Sequence, residues 1–538
     1  MKKLGIFLGY TPRQLVPHEG ITRLLGFIVR GAVRAGDISV TIAGPAWLKK
    51  DILNLLDDAG VPAGSVDIIT TKGEPYLIRL WRVWTRIFQK SKPRKLKRNR
   101  LFRYITKGMR IIVDWLSHSS FYVFAFGIIL ILILTLAFTL PLLILATIGV
   151  GIYAARRLSS KFRGSRYYRA KNWVMSRFYY ILSTIGPLDT VQSHELNRLV
   201  KLLNRRRDID VWYVPSMFWP EISRLRGKVV MAAPDIVFYE HPAQYVGPAE
   251  MRTSERMSKS IAGADQLITY SDHVKTSHIV SRHNVDPRHV TVIRHGFVDM
   301  ASIERGNGTK QNALDVLHNY LKEKEESFPE YLRGFRFDDV KFLFYSSQIR
   351  PHKNIEALIG VFERVLRDHY QPVKLILTGR TASNERVWKL IGERGLQRDV
   401  VSLPSVPNYV LAALYRLAVL SVTPTQFEGG FPFTFSEAYS VGTPSIMSRI
   451  PVVTEVIQDQ ALLDLMTFDP MDREEMLQKI LWALDNRQAL LEAQKPLFET
   501  MSSRTWEVVA KEYLDLIVRS ATEQKRTRPE AKNRSKVR

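Results

Sequence analysis

From Lys341 to Ser448 the chain repeats one pattern: a short apolar run ends in a polar or glycine-containing loop, and a stretch with helical apolar spacing follows. "KFLFYSSQIRPHKN" reads as a strand leaving into a loop, "IEALIGVFERVLRDH" as a helix and "VKLILTG" as a strand. "VSLP" is a further strand, "YVLAALYRLA" a helix, "VLSVTP" a strand, and "SEAYSVG" a helix before the strand "PSIMS". Alternation of this kind implies a parallel sheet joined by right-handed crossovers.

The first part of the chain carries the same pattern. "KKLGIFLGYTP" breaks from a strand into a Gly/Pro loop, "ITRLLGFIVRGAVRAG" has helical spacing and a glycine stop, and "ISVTIAG" is the next strand. Much later come "DVWYVP", "KVVMAAPD", "DQLITYS" and "VTVIRHG", with helices such as "MSKSIAGA" between them. The expected fold class is therefore α/β, with two Rossmann-like doubly wound domains. The first spans about 1–300 and is interrupted by an insertion at 75–185. A linker or added helix at 301–337 leads to the second domain at 338–480, closing helices at 481–520 and a disordered basic tail at 521–538.

The insertion is distinguished by its charge. Trp115 to Ala155 contains no Lys, Arg, Asp or Glu, while ten Lys or Arg precede it between Lys90 and Arg110 and seven follow between Arg156 and Lys171. With the tail, these blocks hold a net 22 of the chain's formal charge of +26, so the excess argues for an anionic membrane surface rather than for nucleic acid. About 20 apolar residues span a bilayer, and basic flanks stay on the cytoplasmic side. Because both flanks are basic, a transmembrane or re-entrant hairpin is expected, anchored at the cytoplasmic face of the inner (plasma) membrane. The sheet argument agrees: strands before the insertion and after Asp210 belong to one sheet, so both ends of the insertion lie on one side.

With no cysteine, thiolate metal sites and Cys nucleophiles are excluded. Ligands of doubly wound sheets bind outside the carboxyl ends of the strands, so those loops hold the candidates. One carries Arg350 and Lys353 in "IRPHKN"; another is "FEGGFPFTFSEAYSVGTPSI", with Glu428 and Glu437 on either side of Gly429, Gly430 and Phe431. Two cations with glycine backbone N–H groups and a helix N-terminus suit a diphosphate. A carboxylate such as Glu437 can accept two ribose hydroxyl hydrogens. No metal cage and no cofactor are implied. Asp208 and Asp210 imitate a metal-binding pair but precede a strand instead of ending one, and His18, beside Gly20 in the first strand-end loop, reads as structural.

Residues from about Val340 to Ile457 resemble the donor domain of glycosyltransferase family 4, retaining enzymes of the GT-B fold. The "R-x-x-K" loop, the approach "PNYVLAALYRLAVLSVTPT" and the paired-glutamate signature occur in the family's order. "SIAGADQLITYSDHVKTSHIVSRHNVDPRHVTVIRHGFVD" resembles the run that closes the family's acceptor domain, and "TMSSRTWEVVAKEYLDLIV" its closing helix. The resemblance implies transfer of a sugar from a nucleotide diphosphate sugar with retention, by front-face substitution. By position Arg350 and Lys353 would hold the diphosphate and Glu437 the ribose, while Glu428, Gly429 and Gly430 would face the sugar. Gly20 would approach donor or acceptor. Eight residues separate the glutamates where the family has seven, an offset of one loop residue at Glu428. Pro234-Asp235 stands where the family often has His-Asp, leaving Asp235 and His241 as acceptor-side candidates. The acceptor implied is a lipid-linked saccharide of polysaccharide or surface-glycan assembly. A nucleotide-sugar epimerase of the same fold and a non-catalytic membrane scaffold are the alternatives.

Overall fold

The computed structural model of the protein describes residues 2–12, 14–15, 20–79, 186–206, 208–245, 247–328, 332, 335–338 and 340–522, together with 108, 112–113 and 125–129. Among the described residues, one compact unit lies within Met1–Val229 and Val246–Ala264, and the other within Val230–Tyr245 and Asp265–Glu523.

In the first unit β1 (Lys2–Phe7) pairs in parallel with β2 (Ile38–Gly44), which pairs with β3 (Val66–Thr70). On its other edge β1 pairs in parallel with β4 (Val211–Val214), Leu4 opposite Val211 and Ile6 opposite Tyr213. Strands from either side of the insertion thus share one sheet, as the alternation required. Helix α1 (Gly20–Ala35) buries Leu24, Leu25, Ile28, Val29 and Ala32, the i, i+4 stripe that its sequence predicts. Helices α2 (Lys49–Asp58), α3 (Pro187–Leu203) and α4 (Pro248–Gly263) complete the main helices of this unit. Asp208 and Asp210 hold the start of β1: Asp210 Oδ2 accepts from the Lys3 backbone N–H at 2.9 Å, and Asp208 pairs with the Lys3 ammonium at 3.2 Å.

In the second unit β6 (Gln266–Thr269) lies in parallel between β5 (Lys228–Ala232) and β7 (Val290–Val292). The six-stranded sheet has the order β10-β9-β8-β11-β12-β13, all parallel. Its strands are β8 (Lys341–Tyr345), β9 (Val373–Leu377), β10 (Val400–Ser402), β11 (Leu420–Thr423), β12 (Ser445–Ser448) and β13 (Thr467–Phe468). In β8 the side chains alternate between two cores, which explains an unbroken apolar run. Phe342 and Phe344 enter one, with Leu314 and Leu317 of α5 (Lys310–Glu323). Leu343 and Tyr345 enter the other, with Leu358 and Phe362 of α6 (Ile355–Arg367). The stretch read as a linker or added helix therefore holds a packed helix, begun by Thr309, whose hydroxyl accepts from the Asn312 backbone N–H.

Four more helices matter below: α7 (Glu385–Glu393), α8 (Asn408–Leu417), α9 (Phe433–Tyr439) and α10 (Arg487–Ser502). Helix α9 starts earlier than "SEAYSVG" suggested, because Pro432 presets its entry.

Among the described residues no helix is long and apolar enough to cross a membrane. The expected hairpin at Trp115–Ala155 lies outside the described residues except for 125–129, and so do the block at Arg156–Lys171, all of Lys90–Arg110 but Gly108, the tail from 523 onward, and His18.

Candidate active site

Four strand-end loops of the second unit build the site. After β8 the chain runs through Ser346 to Arg350, turns in a 3-10 segment at Pro351–Lys353, and enters α6 through Asn354 in the left-handed region, φ 57°. Asn354 secures this turn by donating from Nδ2 to the Pro470 carbonyl at 2.8 Å. The second loop, after β11, is tied to the first: the Gln426 N–H donates to the His352 carbonyl at 2.7 Å, and the Thr425 hydroxyl donates to the same carbonyl at 3.3 Å.

These ties bring Lys353 to Glu428. Their Nζ and Oε1 atoms stand 2.5 Å apart, and both side chains are largely enclosed. Arg350 is exposed on the same turn, its Nε donating to Gln348 Oε1 at 3.1 Å.

Gly429 and Gly430 are required by close approach. A Cβ on Gly429 would lie 2.2 Å from the Pro234 carbonyl oxygen and 2.7 Å from Asp235 Cβ; on Gly430 it would lie 2.4 Å from His295 Nε2. The glycine pair therefore presses against the loops that follow β5 and β7, and Ser271 Oγ adds a hydrogen bond to the Gly429 carbonyl at 2.9 Å. Asp235 is thereby placed beside Glu428. The carboxyl keeps an exposed face but is crowded by protein atoms. Burial pushes its pKa up and the Glu428 charge adds to this, while Arg350 and Lys353 oppose it.

His241 packs over His352, ring centroids 6.3 Å apart at 25°. His352 is buried, with Nδ1 3.1 Å from the Tyr245 hydroxyl. Burial, reinforced by the Lys353 and Arg350 charges, takes its pKa down to about 3, and burial lowers His241 as well. Two neutral imidazoles thus lie behind the cations.

Glu437 stands apart from this group, in the second turn of α9, where its Oε2 accepts from the buried Tyr415 hydroxyl at 2.7 Å. Phe431 packs edge-on to Phe435 at 5.8 Å and, with Tyr270, His295, Phe433, Val452 and Arg504, lines a cavity of about 190 Å3. Gly20 is the first residue of α1, in the other unit. The structure thus gathers Arg350, Lys353, Glu428, Gly429, Asp235 and His241. It adds His352, Tyr245 and His295, which sequence reasoning missed. His352 lies inside the "IRPHKN" loop, but only the 3-10 turn shows that its ring points inward.

Residues 329–496 match the sequence profile described as "Glycosyl transferases group 1". The matched stretch is about a third of the chain. Arg350, His352, Lys353, Glu428, Gly429, Gly430, Phe431 and Glu437 lie within the matched stretch, and Asp235, His241, Tyr245 and His295 lie before it. The chain is 30% identical over 147 residues to O-antigen chain mannosyltransferase B of Escherichia coli, 27% of this chain and 37% of that protein. It is 27% identical over 228 residues to the O-antigen chain mannosyltransferase RfbU of Salmonella typhimurium, 42% of this chain and 54% of that one. The chain therefore spans between about a third and about half of the length of these relatives. Among solved structures it is similar to HepE of Anabaena in complex with UDP, with a TM-score of 0.51 at 12% identity, covering 96% of this chain and all of that one. The fold is the two-domain α/β fold of GT-B type, with parallel sheets.

Proposed function

We propose that the protein is a glycosyltransferase that moves a sugar, with retention, from a nucleotide diphosphate sugar to a lipid-linked saccharide in polysaccharide or surface-glycan assembly. The observation that carries this reading is the Lys353–Glu428 pair beside Arg350, at the carboxyl ends of two parallel strands. The group 1 match and the likeness to two O-antigen mannosyltransferases support it, and so does a structural neighbour solved with UDP.

In this reading the anomeric carbon–phosphate oxygen bond breaks while a bond to the acceptor oxygen forms on the same face. The acceptor proton leaves with the departing diphosphate. Arg350 and Lys353 stabilise the charge that develops there, as fixed donors do in preorganised electrostatic catalysis. Glu437 takes the ribose hydroxyls and Glu428 the sugar side, while Gly429, Gly430 and Phe431 shape the donor wall. Asp235 and His241 stand on the acceptor side, and Gly20 belongs to the first domain. That division gives 1–300 the acceptor and 338–480 the donor. The apolar 115–155 segment would hold the site at the cytoplasmic face of the inner membrane, its basic flanks on anionic lipid.

The test is to incubate membranes carrying the protein with labelled nucleotide sugars. Label entering the lipid extract supports the proposal. Conversion to an epimer, or no change with any donor, refutes it in favour of an epimerase or a scaffold.

A further inference from the structure

A second cluster of chemically capable side chains lies on the far side of Phe427, outside the residues given roles above. After β6 comes a π-helix at Val274–Val280, immediately preceded by His273. At 3.6 residues per turn, side chains five apart diverge by roughly 140°. The i→i+5 bonding of a π-helix stacks them instead, and such single-turn segments are frequent at functional sites. His273 and His278 therefore face the same way. Both present Nε2 to one oxygen of Glu240, at 3.2 Å and 2.7 Å. The Glu455 carboxylate secures the entry to this turn, accepting from the backbone N–H of Asp272 at 3.0 Å and from that of His273.

The geometry points to a divalent zinc site formed by Glu240 Oε1, His273 Nε2 and His278 Nε2. The three donor atoms lie within 4.8 Å of one another. With Zn–N and Zn–O bonds of about 2.0–2.1 Å, the edge of a tetrahedron of ligands is roughly 3.3 Å, close to the His273–Glu240 separation. Two imidazoles and a carboxylate are a zinc donor set that leaves a fourth position for water. Water can reach it, since the Glu240 and His273 side chains are 35% and 19% exposed. When the metal takes Nε2, each imidazole proton moves to Nδ1. For His273 that atom is 3.5 Å from the Ser277 hydroxyl, which can accept it.

His278 is fully buried and rigidly framed. Its ring stacks on Phe427 at 5.6 Å and 27°, and Tyr239 meets it edge-on at 5.7 Å. Zinc on His278 would clamp the residue next to Glu428, which makes the site a support for the glutamate loop. Among the described residues His278 Nδ1 has no hydrogen-bond partner, so one ligand lacks an outer-shell anchor there. The affinity expected is accordingly micromolar and not that of a closed structural site.

The experiment is calorimetric titration of the full-length, tag-free, chelator-treated protein with zinc sulfate. Cobalt(II) replaces zinc in a parallel sample to give the visible bands of a tetrahedral site. Expected are binding of a single equivalent and a loss of affinity of at least about 100-fold in Glu240→Gln and in His273→Gln, both partly exposed and checked for folding by circular dichroism. Absence of zinc binding by the wild type overturns the proposal. So does affinity retained in both folded variants.

Discussion

Lys353 Nζ lies 2.5 Å from Glu428 Oε1, joining the loop after β8 to the loop after β11 across 75 residues of sequence. The two cations of the site therefore differ in their dependence on the fold. Arg350 is exposed, and among the described residues its guanidinium bonds to Gln348, so Arg350→Ala is expected to leave the melting temperature unchanged and cut turnover by about 100-fold or more. Lys353→Ala is expected to cut turnover as much and to lower the melting temperature as well, because Glu428 is left enclosed without its partner. Steady-state kinetics and thermal melts of both variants check this.

The same pair separates the glutamates. Glu428→Gln removes a carboxylate that competes with diphosphate for Lys353, so it should leave nucleoside diphosphate affinity equal or higher while turnover falls. If Glu437 holds the ribose as proposed, Glu437→Gln removes an acceptor for its hydroxyls and should weaken that affinity by about tenfold, the order of a hydrogen bond to a charged group. Calorimetry with the free nucleoside diphosphate measures both, and equal losses would show the roles to be misassigned.

Glycine at 429 and 430 is set by neighbours. Gly429→Ala would drive Cβ to 2.2 Å from a backbone oxygen that cannot move freely, and Gly430→Ala would meet His295. Each is expected to destabilise the protein by about 1–3 kcal/mol and to depress turnover. Gly392→Ala in α7, where a Cβ meets nothing within 4 Å, is the control and should be neutral or stabilising. Urea denaturation compares the three.

His295 has its Nε2 enclosed without a hydrogen-bond partner among the described residues, and burial, with Arg504 adding to it, lowers its pKa from 6.5 to about 4. The unfolded chain then binds more protons than the folded one between these values. Its contribution to stability is intact above pH 6.5 and is lost as pH falls towards 4. Between pH 6.5 and 5 the loss from this residue is on the order of 1 kcal/mol. Melts of wild type and His295→Gln over this range should show a shallower pH dependence in the variant.

Much of the fold was legible in the sequence. The run "KFLFY" read as a strand and is one, and "DVWYVP" does join the first strand in one sheet despite the long insertion. Arg350, Lys353 and Glu428 were legible as a group, since strand-end loops of a parallel sheet face the same way. Their pairing was not, because a contact between Lys353 and Glu428 depends on how two loops are pinned by Thr425 and Gln426, both of which bond the His352 carbonyl. Gly429 and Gly430 read as backbone donors, whereas the crowding by Pro234 and His295 depends on residues far away in sequence. His273 and His278 fit no helical face at a spacing of five, and only π winding reveals them as neighbours.

In the proposed function the Arg350, Lys353 and Glu428 group serves sugar transfer from a nucleotide donor. Release of nucleoside diphosphate from a panel of nucleotide diphosphate sugars, by purified wild type and Lys353→Ala with membrane lipid extract as acceptor, tests it most directly. At least one donor should be consumed in step with glycosylation of the extract, and the variant should be slower by about 100-fold. Consumption of no donor, or equal rates in the two proteins, would contradict it.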